Sequence, residues 1–166
     1  MKASLIIIGN EILSGRTQDK NLSYLANWLN EIGIQLTEVR VIRDEEDVIV
    51  ETVNHLRKTY DYVFTTGGIG PTHDDITSES IAKAFSVDLE INQGALSILK
   101  EYYKDGELTE ARMKMTKMPV GSELIENPVS RAPGFKMDNV FVLAGIPGIM
   151  QGMLEGARQF LSLIHI

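Results

Sequence analysis

Leu5-Ile6-Ile7-Ile8-Gly9, near the start of a chain of 166 residues, is an unbroken apolar run closed by a glycine. A strand with one wet face alternates apolar and polar residues, whereas a strand covered on both faces, as in a parallel sheet, runs continuously apolar. The stretch therefore reads as a central strand. A polar loop, Asn10 to Asp19, follows it. Leu22, Leu25, Ala26, Leu29 and Ile32 then recur at helical spacing, and Gly33 is placed to end that helix in a left-handed cap. Leu36 to Ile42 reads as a second strand. Asp44 to Lys58 reads as a second helix with Ile49, Val53 and Leu56 inward, and Tyr62-Val63-Phe64-Thr65 as a third strand, broken by Gly67-Gly68. Strand, helix, strand, helix, strand implies an α/β fold of parallel strands with helices on both faces.

Beyond the glycines, Thr77 is suited to cap a third helix with Ile81, Ala82 and Phe85 inward. Val87, Leu89 and Ile91 alternate with polar residues, as in a short strand. Gln93 to Met118 is expected to be helical with an interruption near Asp105-Gly106, and Met113, Met115 and Met118 read either as an exposed contact between copies or as core. A loop containing Pro119, Gly121, Pro128, Pro133 and Gly134 comes next. Val140 to Leu143 is a further strand, and Gly145-Ile146-Pro147-Gly148 opens a last helix with Ile149, Met153, Ala157, Phe160 and Leu161 on one side. The length fits one domain, residues 1–166, with one core.

Composition narrows the chemistry. Hydrophobic residues are 43% and charged residues 23%, the balance of an ordinary folded domain. With no cysteine, a thiolate metal site and a cysteine nucleophile are excluded, and His55, His73 and His165 are too scattered for a zinc site. The net charge of -7 argues against nucleic acid as a partner. The short run Leu5 to Ile8 is not the apolar region of a signal peptide, and no stretch is long enough to span a bilayer. The cytoplasm is the expected compartment.

The segment Thr65-Thr66-Gly67-Gly68-Ile69-Gly70-Pro71-Thr72-His73-Asp74-Asp75 follows a central strand and precedes a helix. Ligands of open α/β sheets bind at the carboxyl ends of the strands, where glycines admit close approach and free amides hold anions. Asp74 and Asp75 beside an anion site make sense if a divalent ion, magnesium, manganese or cobalt, bridges them to phosphate; the alternative is a tight turn with acids favouring a helix start. Glu11 and Ser14, in Gly9-Asn10-Glu11-Ile12-Leu13-Ser14-Gly15, end the first strand on the same edge, so Glu11 is a third candidate metal ligand. Asp44 ends the second strand there, or caps the second helix with Asp47 at capping-box distance. Pro147 and Gly148 sit in another strand-to-helix turn, read as phosphate-binding or as a plain helix start. In Asn127 to Phe135, Arg131 is read as a phosphate contact or a solvated arginine, and His73 as a general base or a solvated loop residue.

Gly9 to Gly15, Thr65 to Thr77, Asn127 to Phe135 and Leu143 to Gly148, in this order, resemble the amino-terminal domain of the CinA family, within the superfamily of the molybdenum-cofactor proteins MogA, MoaB, MoeA and gephyrin. The resemblance implies a three-layer α/β/α sandwich with a mostly parallel sheet and a pterin- or nucleotide-binding edge. It matches Gly67, Gly68 and Gly70 to the family's ligand loop, Asp75 to an acid used near phosphates, and Asp44 to the acid after the second strand. Asn10, where many relatives carry aspartate, and Arg131, where a small or hydroxyl residue is expected, depart from the pattern. Three functions follow from the resemblance: metal-dependent hydrolysis of nucleotide pyrophosphates such as ADP-ribose and FAD; a binding module for molybdopterin or a nucleotide; and molybdopterin adenylyl transfer, disfavoured by Ile69 and Asp74, where MogA-like chains are expected to carry threonine and a basic residue. The amidase domain of full-length CinA, which deamidates nicotinamide mononucleotide, lies outside these residues and its activity is not carried over. Relatives form dimers and trimers, so a homo-oligomer is expected.

Overall fold

A computed structural model of the chain describes residues 1–104 and 106–161. Its main sheet has six strands in the order β2-β1-β3-β8-β7-β6. These are β1 (Lys2–Ile8), β2 (Gln35–Ile42), β3 (Tyr62–Thr66), β6 (Glu123–Ile125), β7 (Gly134–Met137) and β8 (Val140–Leu143). β2, β1, β3 and β8 are parallel neighbours, and β7 and β6 extend the sheet antiparallel to β8.

The continuous run in β1 is covered on both faces. Leu5 and Ile7 join one core with Leu25 and Leu29 of α2 (Asn21–Glu31) and Met150, Met153 and Leu154 of α7 (Pro147–Ala157). Ile6 and Ile8 join a second core with Ile49, Val53 and Leu56 of α3 (Glu46–Thr59) and Ile81 of α4 (Thr77–Ala84). Two cores separated by the sheet make the three-layer α/β/α arrangement, where the length alone suggested one. Gly33 ends α2 at φ +81, as its position implied.

Several elements differ from the sequence reading. The first loop contains a short helix, α1 (Asn10–Leu13), too brief for a periodic signal. Leu22 is exposed and Trp28 is buried in its place on α2. Asp44 does not cap α3: Glu45 is the cap residue, and the side chain of Asp44 turns back to Asn10. Thr77 is the first residue of α4, not its cap. The long helix expected over Gln93 to Met118 is α5 (Gln93–Tyr102) and α6 (Glu110–Lys114), followed by β5 (Lys117–Pro119) paired with β4 (Leu89–Ile91). Asp105, part of the expected interruption, and His165 lie outside the described residues. Met118 is buried on β5, and Met113 and Met115 are half-buried, so these methionines form no exposed row. The proline- and glycine-rich loop carries β6 and β7, three and four residues long. Among the described residues no helix is long and apolar enough to cross a membrane.

Candidate functional site

Where β1, β3 and β8 end, the chain makes three turns side by side, and they frame a cleft of about 620 Å³. The glycine loop after β3 is its floor. Gly67 and Gly68 adopt φ +102 and +75, backbone that side-chain-bearing residues rarely take. Space enforces the same choice. A Cβ at Gly67 would stand 2.2 Å from the Ile8 carbonyl oxygen, and one at Gly68 would stand 2.0 Å from Oγ1 of Thr77. Gly145, in the turn after β8, approaches equally closely: a Cβ there would lie 3.1 Å from Cα of Gly67.

The buried Thr77 holds the loop's shape. Its Oγ1 donates to the Gly67 carbonyl at 2.9 Å, and its N–H donates to the Gly68 carbonyl at 2.9 Å. At the far end, Oδ2 of Asp75 accepts from the N–H of Thr72 at 2.9 Å and from its hydroxyl at 2.7 Å. Gly67 donates its own N–H to Leu143. The N–H groups of Gly68, Ile69 and Gly70 make no hydrogen bond to other described residues. Three consecutive unpaired amides on a cleft floor have the chemistry to receive an anion.

Of the candidate site residues, the cleft gathers Gly67, Gly68, Gly70, Glu11, Asp75 and Pro147. Glu11, on α1, folds its carboxylate back over Gly9 at the end of β1: a Cβ at Gly9 would lie 2.5 Å from Oε1. Ser14, Asp44, Asp74 and Gly148 are not among the lining residues. Ser14 spends its hydroxyl within its own turn, donating to the Glu11 carbonyl at 3.3 Å. Asp74 is exposed beside the cleft. Asp44 and Asn10 brace each other: the N–H of Asn10 donates to Oδ2 of Asp44, and the N–H of Asp44 donates to Oδ1 of Asn10, both at 3.1 Å. Asn10 thus ties the ends of β1 and β2 without adding a carboxylate. Burial raises the pKa of Asp44, the Asn10 bond opposes that, and the nearby charges of Glu11, Asp75 and Asp74 raise it further. This edge is an acidic field.

The segment Asn127 to Phe135 reaches the cleft through residues other than Arg131. Asn127 is buried and organises the loop before β7. Its amide nitrogen donates to Ser130 Oγ and the Ala132 carbonyl, and its oxygen accepts from the N–H groups of Val129 and Ser130. Ser130 and Ala132 face the cleft while Arg131, at φ +74, is not among its lining residues. Asn21, Tyr103 and Met115 complete the walls. A second cleft, about 800 Å³, shares Gly68 to Pro71 and Asp75 with the first. His73 borders it with Lys114 and Lys117, and Lys114 Nζ donates to the Thr72 carbonyl.

The carboxylates suit a divalent ion only in part. Among the described residues no three Asp, Glu, His or Cys side chains converge as a metal cage. Glu11 and Asp75 in one cleft fit the looser mode in which magnesium takes one or two carboxylates and shares the rest of its shell with phosphate and water.

Residues 4–162 match the family described as "Probable molybdopterin binding domain". Protein Ta0487 of Thermoplasma acidophilum is 39% identical over 161 residues, covering 95% of this chain and 63% of that protein. A CinA-like protein of Sulfurihydrogenibium is 39% identical over 171 residues, covering 98% of this chain and 43% of that protein. The chain thus spans less than two thirds of these relatives. The crystal structure of CinA, of unknown function, from Thermoplasma acidophilum superposes with a TM-score of 0.88 at 37% identity, over 96% of this chain and 98% of that one. MoaB from Thermus thermophilus, at 16% identity and a TM-score of 0.63 over 96% and 91% of the two chains, shares the fold. With the family match spanning nearly the whole chain and a CinA structure aligned almost end to end, the protein belongs to the molybdopterin-binding-domain family and is CinA-like within it.

Proposed function

We propose that the cleft hydrolyses nucleotide pyrophosphates of the ADP-ribose or FAD type with the help of a divalent ion. The observation that carries this reading is the meeting of Glu11 and Asp75, from separate segments, with the free amides of Gly68 to Gly70 in one cleft. The amides take the diphosphate oxygens, and Glu11 and Asp75, with Asp74 alongside, take the ion. Magnesium, manganese or cobalt there supplies charge neutralisation at the phosphoanhydride and a more acidic water. Water adds to one phosphorus, the bridging P–O bond breaks, and two phosphate monoesters leave, AMP being one of them. The apolar wall, including Ile12, Ile69 and Ile149, receives a flat ring.

The test is hydrolysis of ADP-ribose and FAD by the purified chain with each ion and with chelator. The expected result is metal-dependent release of AMP that Asp75→Ala abolishes. Asp75→Asn, which still accepts the Thr72 bonds, separates the carboxylate's chemistry from its role in the loop. Unchanged hydrolysis in both variants refutes the assignment.

The same apolar wall favours a second reading, a module that holds molybdopterin or a related pterin without turnover. Calorimetric binding of pterin with no hydrolysis under any condition is its signature.

A further inference from the structure

Four buried side-chain atoms are left without a hydrogen-bond partner among the described residues: Ser4 Oγ, Asn21 Oδ1, Thr65 Oγ1 and Asn139 Oδ1. Only Asn21 belongs to the cleft lining. It is the first residue of α2 and 4% exposed. Its amide nitrogen donates to the Gly145 carbonyl at 2.9 Å. That bond assigns the amide, since a carbonyl can face only the nitrogen, so the unpaired atom is an acceptor. An unmet buried acceptor is costly, and a donor supplied by a ligand removes the cost.

The anchor says which part of a ligand could supply it. Gly145 packs against Gly67, where a Cβ on Gly145 would come within 3.1 Å of the Gly67 Cα. Asn21 is therefore tied, through Gly145, to Gly67, the residue that precedes the three free amides. Phosphate oxygens at neutral pH are acceptors and do not satisfy a carbonyl. In a nucleotide the donors adjoining the phosphates are the hydroxyls of the sugar.

Resting on the reading of the cleft as a nucleotide site, we propose that Asn21 is a specificity residue that accepts a hydrogen bond from the ligand's ribose, so the site prefers ribose over deoxygenated sugars. The experiment is a binding cycle, with ADP and 2′,3′-dideoxy-ADP titrated calorimetrically into the wild-type chain and Asn21→Ala, magnesium present. The wild type is expected to prefer ADP by about tenfold, the scale of one hydrogen bond to a buried acceptor. Asn21→Ala, folded by circular dichroism, should lose that preference.

Equal binding of the two nucleotides to the wild type overturns the proposal, whatever the variant does. So does an alanine variant that weakens both equally, which would point to the base. Failure of both nucleotides to bind the wild type would overturn the nucleotide reading of the cleft as well, a result distinct from equal binding.

Discussion

Replacing Gly67 by alanine isolates the constraint that shapes the cleft floor. The new Cβ would stand 2.2 Å from the carbonyl oxygen and 3.3 Å from the carbonyl carbon of Ile8. Both atoms are backbone of β1, held in register between β2 and β3, so neither can rotate aside. The residue also sits at φ +102. Gly33 is the internal control, because it lies at φ +81 with nothing within 4 Å of its Cβ position. Left-handed backbone costs an L-residue about 1–2 kcal/mol. Gly33→Ala should lose that amount alone. Gly67→Ala adds an overpacking cost of about 1–3 kcal/mol, for a total near 3 kcal/mol. In a domain of this size each kcal/mol moves the melting temperature by about 2–4 °C, so Tm should fall by about 6–12 °C for Gly67→Ala and by about 2–8 °C for Gly33→Ala. Urea and thermal melts followed by circular dichroism measure both, and nucleotide affinity should fall only in the Gly67 variant. Equal destabilisation of the two variants would refute the reasoning, since the Ile8 contact would then constrain nothing.

Thr77→Val keeps the shape of the side chain but leaves the Gly67 carbonyl without its hydroxyl donor; a loss of about 1–3 kcal/mol is expected in denaturant melts, with Thr77→Ser closer to wild type. Asn127→Ala removes four hydrogen bonds within one loop and should cost about 2–4 kcal/mol while weakening ligand binding through Ser130 and Ala132, as calorimetry on the folded variant would show. Asp44 has a folded-state pKa above the ordinary 3.8 of an aspartate, so the folded chain holds that proton more tightly and ionisation costs stability as pH rises through the raised value. Asp44→Asn, which still accepts from Asn10, should therefore melt higher than wild type at pH 7, with the gap closing near pH 3; a gap of the same size at both pH values would rule out the electrostatic cause.

Local pattern was enough for the elements whose burial is complete or one-sided. β1 announces itself because both faces are covered, and α2 and α3 because one face is. The crossover rule then places the ends of β1 and β3 on a single edge, which is why the glycine loop, Glu11 and Asp75 were expected together and do line one cleft. The α/β class and the family resemblance followed from these residues without coordinates.

Tertiary structure decided the rest. β6 and β7 are too short for a period; β7 pairs with the edge of β8 and β6 in turn with β7, and at Gly134 a Cβ would stand 2.5 Å from the Val142 carbonyl oxygen. Thr77 and Asp44 have cap-like neighbours in sequence, yet their side chains bond to Gly67 and Asn10, residues the fold brings to them from other turns. Ser14 and Asp74 share an edge with the cleft residues but point their polar groups elsewhere or to solvent. Asn21 begins an ordinary amphipathic helix, and its unmet carbonyl appears only once Gly145 claims its nitrogen. A side chain's periodic position follows from its neighbours in sequence, whereas its hydrogen-bond partner is whatever distant segment packing has delivered.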